Sequence, residues 1–545
     1  MRKPIGQLLK EKGFITEEYI QFALLEQKAT GEKFGEVLVR KGLVTDVEIA
    51  MALAEQSGYP FLDVSEIFPS QEALIKVPSS FAKKFGILPL RITPERSLEV
   101  AISDPYNLQL IETISRISGM QVSPVISSTT QIKKFLEKAY YFLENPIEEE
   151  FSELIEKLKR NPQADFDAEE LFEKLLIWSI TKRATDLHIT PTNLTLEVYF
   201  RIDGMLEPVI VFPKAVYRRL ANLIKVKSGM DIAETRLPQD GRIKFSFFGE
   251  EFDLRISTVK TSFGENIVIR ILPIGSYVQH LSYLGFYSDQ IKIIERLMFA
   301  PYGMFLITGP TGSGKTTTLF SCLRIVNLLE KNVLTVEDPI EYVLPLIRQT
   351  QVNEEIGYTF ARAVRHFLRQ DPDIIIVGEV RDEETAQMAV RASLTGHLFL
   401  ATLHTNNALS TIIRLKDLGI APDMLSFSLI GILAQRLVRK ICPNCKEEYK
   451  PDPRLLNYYN LPEDHIYYKG KGCEHCRFKG YIGRTAIAEL ISIDSDFSAL
   501  ISKDFSYSDL IKLATTKNIK FLIDDAKRKV LDGITTVEEI RRVLG

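Results

Sequence analysis

The stretch that decides the fold of this chain reads Gly309-Pro310-Thr311-Gly312-Ser313-Gly314-Lys315-Thr316. It fits the phosphate-binding pattern G-x-x-x-x-G-K-[ST]. An apolar run at 304–308 predicts a buried strand before it, and residues 317–323 predict a helix after it. In that context backbone N–H groups and the helix N-terminus face the phosphates. We therefore expect a nucleoside triphosphate site, with Lys315 on the phosphates, Thr316 on Mg²⁺ and Thr317 beside them.

The composition is that of an ordinary globular protein. The chain has 545 residues, of which 45% are apolar and 26% charged, and its net charge is −3. This length predicts about three or four domains, and the small net charge predicts no nucleic-acid partner. We find no apolar run long enough to cross a membrane and no apolar stretch of a signal peptide near the start. We expect a cytosolic protein that does not insert into a membrane.

Four of the five cysteines form two Cys-x-x-Cys pairs, separated by 27 residues. Four thiolates in tetrahedral reach suit Zn²⁺, and four protein ligands leave no open coordination position, so the metal would be structural. A disulfide arrangement is the alternative, although a reducing compartment favours metal. The expected ligands are Cys442, Cys445, Cys473 and Cys476.

The first 56 residues contain an internal repeat, because Ile5-Gly6 recurs as Phe34-Gly35 and Gly13 recurs as Gly42, each 29 positions later. Each copy predicts a short helix, a glycine turn, a threonine cap and a second amphipathic helix. Two copies are too few for a solenoid and predict one small helical domain.

The remaining chain divides by composition and periodicity. Residues 57–143 mix strands and helices and complete an N-terminal domain that starts at residue 1. The polar stretch 144–166, with its Asn-Pro pairs, predicts a linker. Residues 167–278 predict an α+β domain, and 279–440 alternate strand and helix, which is typical of a mostly parallel sheet. Residues 441–545 hold the cysteine pairs followed by helices.

Nucleotide hydrolysis also needs carboxylates that support Mg²⁺ and orient water. Glu337 and Glu379 each end an apolar run, so both are expected at the carboxyl edge of the sheet, where ligands bind. A solvated strand-end acid is the alternative for either one alone. His397 and His404 flank a further apolar run, and each is as compatible with a structural role as with a role near the γ-phosphate.

These segments resemble the secretion and pilus ATPase family, the hexameric motors of type II secretion and type IV pilus assembly, over nearly the whole chain. Glu337-Asp338-Pro339 resembles the family's aspartate box, 371–382 its Walker B region, 396–405 its histidine box, and 434–437 a further family stretch. The resemblance implies that Glu337 is the water-activating carboxylate. It implies that Glu379 supports Mg²⁺ and water.

The resemblance also implies the fold class: multidomain α/β, with a RecA-like P-loop motor domain preceded by an α+β, PAS-like domain. Stretches at 184–188, 199–204, 236–242 and 253–258 match that preceding domain. Family members place its arginines at the nucleotide of the same or an adjacent subunit, since a guanidinium offers forked donors to phosphate. At least one of the four matching arginines is expected to form a structural salt bridge instead. They are Arg201, Arg236, Arg242 and Arg255.

The N-terminal repeat resembles the cyclic di-GMP-binding domain found on some of these ATPases. The spacing matches, but Pro4 and Lys33 stand where that domain has arginine. Lysine binds phosphate less specifically than arginine does, and proline does not bind it. Two roles stay open, cyclic di-GMP binding and docking to a membrane-platform partner, and docking is slightly preferred.

Two functions follow from these observations. The first is a homo-hexameric ATPase, using ATP, Mg²⁺ and structural Zn²⁺, that powers pilus or pseudopilus extension while docked on an inner-membrane platform protein at the cytoplasmic face. In the family, the zinc module and the long N-terminal region accompany assembly and secretion rather than retraction. The alternative is a nucleotide-gated assembly scaffold with low turnover, regulated through the repeat.

Overall fold

The computed structural model describes residues 3–64, 67, 69–274, 280–503 and 505–545. The chain forms two compact units. One comprises Met1–Lys12 with Asp46–Ser276, and the other Gly13–Thr45 with Tyr277–Gly545. The expected domain boundary at 278 lies outside the described residues. None of the helices in the described ranges combines the length and hydropathy needed to cross a bilayer.

The N-terminal repeat forms helices in the predicted order: α1 Ile5–Glu11, α2 Glu17–Thr30, α3 Phe34–Arg40 and α4 Asp46–Ser57. Gly13 and Gly42 end the first helix of each copy with φ of +74° and +69°, a conformation that glycine adopts without strain. Helix α1 packs on α4 in the first unit, and α2 packs on α3 in the second. In the second unit, the Tyr19 hydroxyl accepts a hydrogen bond from the Leu328 N–H at 2.9 Å.

A small α/β region follows, as the sequence predicts. Its three-stranded sheet has the order β1-β2-β3, with β1 antiparallel and β3 parallel to β2. The helices cover a core of aliphatic side chains. The elements are α5 Gln71–Ile75, α6 Ser79–Phe85, β1 Leu88–Ile92, β2 Leu98–Ile102, α7 Leu108–Ser118, β3 Val122–Ile126 and α8 Thr129–Glu144.

The expected linker at 144–166 is largely a helix, α9 Ile147–Arg160, so that expectation is wrong for most of the stretch. Ile147, Phe151 and Leu158 lie on one buried face of this helix. The Phe151 ring packs edge-on against Trp178 and Phe212, with centroids 5.6 and 5.5 Å apart. The many charges that suggest a linker lie on the other face and at the helix ends, where acids at the start and bases at the end complement the helix dipole.

The α+β region contains a six-stranded, fully antiparallel sheet of order β6-β5-β4-β9-β8-β7. Two packed helices, α10 and α11, cover its apolar face, so alternate side chains of each strand point to the opposite face. The elements are α10 Ala168–Thr181, β4 Ala184–Pro191, β5 Thr195–Ile202, β6 Met205–Pro213, α11 Ala215–Lys227, β7 Gln239–Phe247, β8 Glu250–Thr261 and β9 Gly264–Ile274.

The second unit is built on a seven-stranded sheet of order β12-β11-β13-β14-β10-β15-β18, in which only β18 is antiparallel. The mostly parallel sheet expected from the alternating pattern is therefore present. Its first elements are α12 Leu281–Leu284, α13 Ser288–Met298, β10 Gly303–Thr308, α14 Lys315–Leu323, β11 Val333–Glu337, β12 Arg348–Gln351, α15 Phe360–Phe367, β13 Ile374–Val377, α16 Glu383–Leu394, β14 Leu398–Leu403, α17 Ala408–Asp417, α18 Pro422–Ser428 and β15 Leu429–Ile441.

The strands β10, β11, β13 and β14 are buried along their whole length, which is why they read as continuous apolar runs. Because they are parallel, the residues that follow them meet at one edge of the sheet. The chain ends with a short hairpin and a helical cluster: β16 Lys446–Tyr449, α19 Pro453–Tyr459, β17 Tyr467–Gly470, β18 Tyr481–Ser492, α20 Ser495–Ile501, α21 Tyr507–Thr516, α22 Leu522–Leu531 and α23 Val537–Leu544.

Candidate active site

The phosphate-binding loop joins β10 to α14 at the carboxyl edge of the parallel sheet. Gly309, Gly312 and Gly314 have φ of +152°, +77° and +83°. A Cβ atom on Gly309 would lie 2.4 Å from the Gln435 carbonyl oxygen and 2.6 Å from Ser313 Oγ, so only glycine fits there. Gly314 is the N-cap of α14. The residues from Gly309 to Thr317 thus form the tight turn and first helical residues that a phosphate cradle requires.

Lys315 is 9% exposed, and its ammonium donates to the carbonyl oxygens of Gly309 and Pro310 at 2.9 and 3.3 Å. Burial lowers its pKa, while the nearby carboxylates of Glu379 and Glu341 oppose that shift. The Thr317 hydroxyl is bonded to Tyr342 at 2.9 Å. Among the described residues the Thr316 hydroxyl forms no hydrogen bond, so it is the hydroxyl available to a metal ion.

Glu337 is the last residue of β11 and is 3% exposed. Its Oε1 accepts hydrogen bonds from the Thr335 hydroxyl at 2.7 Å and the Gln349 amide at 2.9 Å. Its Oε2 is buried and has no partner among the described residues. Burial raises the pKa of the Glu337 carboxyl, and hydrogen bonds from Thr335, Gln349 and the Glu341 backbone oppose the shift. One oxygen is thus fixed, and the other is available to a water molecule.

Glu379 follows β13, and its two carboxylate oxygens face Arg381 and His404. Arg381 forms a close ion pair with one Glu379 oxygen and lies 4.0 Å from Asp338. His404 Nε2 lies 3.4 Å from the other oxygen. Burial lowers the pKa of His404, and the positive charge of Lys315 lowers it further, which favours a neutral imidazole. The charges of Glu379 and Lys315 therefore both act on the pKa of His404, and the charge of Glu379 also acts on the pKa of Lys315.

His397 does not join this site. It precedes β14, and its carbonyl oxygen accepts from the Gly303 N–H, at the start of β10. Its ring nitrogen Nδ1 lies 3.0 Å from the Ala392 carbonyl oxygen. The phosphate-binding loop begins at the opposite end of β10, about 20 Å away at 3.3 Å per residue. The expectation of a role for His397 beside the phosphates of its own subunit is therefore wrong, and the residue closes the turn after α16.

Sequence reasoning missed three polar residues that support the site. Thr335 and Gln349 hold Glu337, and Gln435 donates to the Ser313 carbonyl oxygen at 2.6 Å. Gln435 lies in the stretch 434–437, so a signal for it existed. The other two have no pattern that marks them, because they act through strand pairing across β11 and β12.

The residues present fit a nucleoside triphosphate with Mg²⁺. Three buried polar atoms of this edge have no partner within the described part of the chain: Ser313 Oγ, Glu337 Oε2 and Gln435 Oε1. A buried polar atom without a partner is costly and normally marks a place where water, an ion or a ligand bonds. Lys315 would hold phosphate oxygens, and Thr316 would hold the metal ion.

In the other unit, four arginines and one aspartate form a continuous row across five strands. The strand register pairs Arg242 with Arg255, Arg255 with Arg270, Arg270 with Asp186, and Asp186 with Arg201. Asp186 lies 3.1 Å from Arg270 and 3.6 Å from Arg201. A cleft of about 450 Å³ is lined by Arg242, Arg255 and Arg270. Asp240 also lines the cleft, and Asp253 Oδ2 lies 3.5 Å from Arg255 Nε, so the four arginines outnumber the three acids by one. Guanidinium groups in excess would favour an anion on this face.

Two findings on this face differ from the sequence analysis. Arg270 belongs to the row although no motif marks it; the alternating pattern of β9 is its only signal. Arg236 does not belong to it, because it lies in the 228–238 loop with a 78% exposed side chain and pairs with Glu234 at 3.0 Å. That hydrogen-bonded ion pair lowers the pKa of Glu234 to about 2. Arg236 thus forms a local salt bridge of the kind expected for at least one arginine.

The four cysteines of the two pairs converge, with their sulfur atoms within 4.8 Å of one another. Cys442 and Cys473 sulfurs are 3.9 Å apart, and those of Cys445 and Cys476 are 3.7 Å apart. Four thiolates at a Zn–S distance of about 2.3 Å from a central ion are about 3.8 Å apart. All five cysteines are free, and the isolated Cys322 is buried in the core. The cluster could hold a tetrahedral metal ion.

The cysteine cluster predicts a structural zinc ion. The double variant Cys442→Ser, Cys473→Ser should lose about one zinc per chain and loosen residues 441–480, because zinc binding supplies folding free energy there. Metal content by atomic emission and the thermal midpoint Tm measure both effects, with Cys322→Ala as the control that keeps its metal. A wild-type protein that carries no metal yet keeps its Tm in the double variant would contradict the assignment.

The buried Glu337 carboxylate predicts a pH-dependent gain in stability when it is neutralised. Its pKa is raised in the fold, so the carboxylate form destabilises the fold above the ordinary carboxyl range near 4.3, and the cost disappears below it. Glu337→Gln should therefore have a higher Tm than wild type at pH 8, by about 2–4 °C for each kcal/mol relieved, and the difference should vanish towards pH 4. Calorimetry across this range, with the exposed Glu463→Gln as control, tests the sign. An equal or lower Tm at pH 8 would refute it.

Comparison with known proteins identifies two regions. The model of the type II/IV secretion system protein family matches residues 163–542, and that of the MshEN domain matches residues 57–145. The MshEN match thus begins directly after the N-terminal repeat.

Curated relatives cover most of the chain. The type IV pilus assembly ATPase PilB of Myxococcus xanthus is 36% identical over 98% of both chains. Type II secretion system protein E of Pseudomonas aeruginosa is 40% identical over 86% of this chain and 96% of its own. PilB of Thermus thermophilus is 41% identical over 89% of this chain, which spans only 56% of that longer protein.

Among solved structures, the Legionella pneumophila ATPase DotB superimposes with a TM-score of 0.52 at 21% identity, covering 70% of this chain and 96% of that one, which indicates a shared fold. The family match extends over the α+β region, the phosphate-binding loop, both carboxylates and the cysteine cluster. The chain therefore belongs to the type II/IV secretion system protein family.

Proposed function

We propose that this chain is an ATP-hydrolysing motor that works as a homo-hexamer and powers extension of a pilus or pseudopilus, in type IV pilus assembly or type II secretion. The observation that carries the proposal is the buried, unpartnered Glu337 oxygen at the same sheet edge as the phosphate-binding loop. The names of the curated relatives, pilus assembly ATPase and type II secretion system protein E, support this choice.

In the proposed reaction, Lys315 binds phosphate oxygens and Thr316 would hold Mg²⁺, which would supply positive charge to the transferred group. Glu337 Oε2 accepts a proton from water as the water oxygen bonds to the γ-phosphorus and the bond to the β–γ bridging oxygen breaks. The raised pKa of Glu337 makes its carboxylate a stronger base for that proton. Glu379, which is held in place by Arg381 and His404, would help to hold the metal ion and to orient water.

The arginine row is proposed to supply the remaining positive charge to the nucleotide of a neighbouring subunit. Arg255 Nε and Nη2 are buried without hydrogen-bond partners among the described residues. Nε lies 3.5 Å from Asp253 Oδ2, an ion pair that a phosphate group would replace. Arg242 and Arg270 flank Arg255 in the row, and Arg201 lies beyond Arg270 and Asp186. We include Arg236, because an exposed ion pair such as that with Glu234 is weak and exchanges readily for phosphate.

A second candidate is a nucleotide-gated assembly scaffold with low turnover. It is favoured by Lys315, whose ammonium is already bonded to two carbonyl groups of its own loop. A motor whose site is completed by a neighbouring subunit would also have low turnover while its subunits are isolated. The two candidates therefore differ in whether ATP turnover rises when the subunits assemble.

We further propose the domain organisation that accompanies this function. An N-terminal domain at 1–143 precedes a PAS-like domain at 167–278, a RecA-like motor domain at 279–440 and a zinc-binding module with helices at 441–545. Helix α9 fills most of the connection at 144–166 and joins the core of the second domain. The protein would act at the cytoplasmic face of the inner membrane, docked on a platform protein.

The motor proposal predicts complementation between two inactive variants. Lys315→Ala and Arg255→Gln should each lower ATP turnover by about 10³-fold or more, because each removes a charge that stabilises the transition state. An equimolar mixture should regain part of the activity, since a Lys315→Ala subunit can still lend Arg255 to a neighbour with an intact loop. Phosphate release at rising protein concentration is the measurement, with Arg218→Gln as the exposed control. Wild-type turnover unaffected by Lys315→Ala, or a mixture as inactive as its parts, would sink the proposal.

For the N-terminal repeat we propose docking to the platform partner rather than binding of cyclic di-GMP. Pro4 and Lys33 lack the guanidinium that stacks on a guanine and binds phosphate at once. Calorimetric titration of cyclic di-GMP into the full chain should give no heat. The double variant Pro4→Arg, Lys33→Arg should bind the dinucleotide if only these side chains are missing. Micromolar binding by the wild type would assign the repeat to the dinucleotide.

A further inference from the structure

Strand β15 runs beside β10, and its register pairs Thr308 with Ala434. The next residue on β15 is therefore Gln435, at the point where the chain leaves β10 for the phosphate-binding loop. Gln435 is 1% exposed, and its side chain points into the loop, where Nε2 donates to the Ser313 carbonyl oxygen at 2.6 Å.

The loop wraps around Gln435 on three sides. The backbone carbonyl oxygen of Gln435 lies 2.4 Å from where a Cβ of Gly309 would be. The side-chain nitrogen Nε2 of Gln435 lies 3.1 Å from the equivalent position on Gly314. The third side is the hydrogen bond to Ser313. The two glycines that begin and end the turn are thus packed against the same glutamine.

This contact sets the direction of one peptide group. In a trans peptide the C=O and the following N–H point in opposite directions. Because Gln435 holds the Ser313 carbonyl towards β15, the Gly314 N–H points away from β15. That N–H has no hydrogen-bond partner among the described residues, and it precedes Lys315 at the start of α14. It is therefore available to an anion.

We propose that Gln435 is a positioning residue for nucleotide binding, which fixes the 313–314 peptide so that its N–H faces the phosphates. The inference rests on the proposed function only in assigning a nucleotide to the loop. This positioning role requires a neutral side chain at position 435 that donates a hydrogen bond to the Ser313 carbonyl oxygen. Glutamate would set a carboxylate against the Ser313 carbonyl oxygen, and methionine would fill the space without a donor.

The test is the affinity for a fluorescent ADP analogue with Mg²⁺, together with KM and kcat for ATP, in the full-length protein. Gln435→Glu should raise the Kd by about tenfold or more, and Gln435→Met by a smaller factor of about three to tenfold, which is the range for losing one buried hydrogen bond. The kcat at saturating ATP should fall by less than about threefold. Gln387→Glu, an exposed glutamine on α16, is the matched control and should leave all three values unchanged.

A merely structural role for Gln435 would instead lower Tm and the active fraction while leaving Kd and KM unchanged, and that result would overturn the proposal. If Gln435→Glu does not fold, the uncharged Gln435→Met carries the same test, and a wild-type Kd in that variant is equally decisive against it. A wild type that binds the analogue but does not hydrolyse ATP would refute the motor function and leave this inference standing.

Discussion

The parallel arrangement of the central strands is the constraint on which the rest of the second unit depends. Four strands buried on both faces carry mainly apolar side chains along their length, and the few hydroxyls among them, such as Thr335 and Thr402, are hydrogen-bonded internally, so chemistry is confined to the strand ends. Since they run in one direction, the phosphate-binding loop, Glu337 and Glu379 all lie at the same edge. Residues that precede the strands, such as His397, lie at the opposite edge of the sheet, one strand length away from the phosphate-binding loop.

Burial makes that edge chemically useful and also costly. The carboxylate of Glu337 is held by Thr335 and Gln349 through one oxygen only, which keeps it ionisable while leaving the second oxygen for water. In the other unit, the four arginines of the row outnumber the three aspartates beside them, which are Asp186, Asp240 and Asp253. Each arrangement leaves buried polar groups without full partners, and a phosphate group with its metal ion would supply the missing hydrogen bonds and charge.

Most of the fold could be predicted from local patterns, because each buried strand and each capped helix leaves its own periodicity in the sequence. The phosphate-binding loop and the paired cysteines were predictable for a further reason, since their geometry depends on residues close together in the chain. Helix α9 was missed because its charged residues outnumber the five apolar residues that form its buried face. Arg270 was missed because its importance depends on neighbouring strands that are distant in sequence. Gln435 lies in a stretch that the sequence marked, but its contact with the phosphate-binding loop also depends on a strand distant in sequence.

The sequence by itself determined that the chain has a phosphate-binding loop before a helix, two acids at strand ends and a four-thiolate cluster, since these follow from residue type and short-range spacing. Tertiary structure alone decided which candidates meet. Strand order brought Glu337, Glu379 and His404 to one edge and left His397 at the other, and cross-strand register aligned Arg242, Arg255, Arg270 and Arg201 while leaving Arg236 apart. Register and strand order depend on how distant segments pair, and no local spacing encodes that pairing.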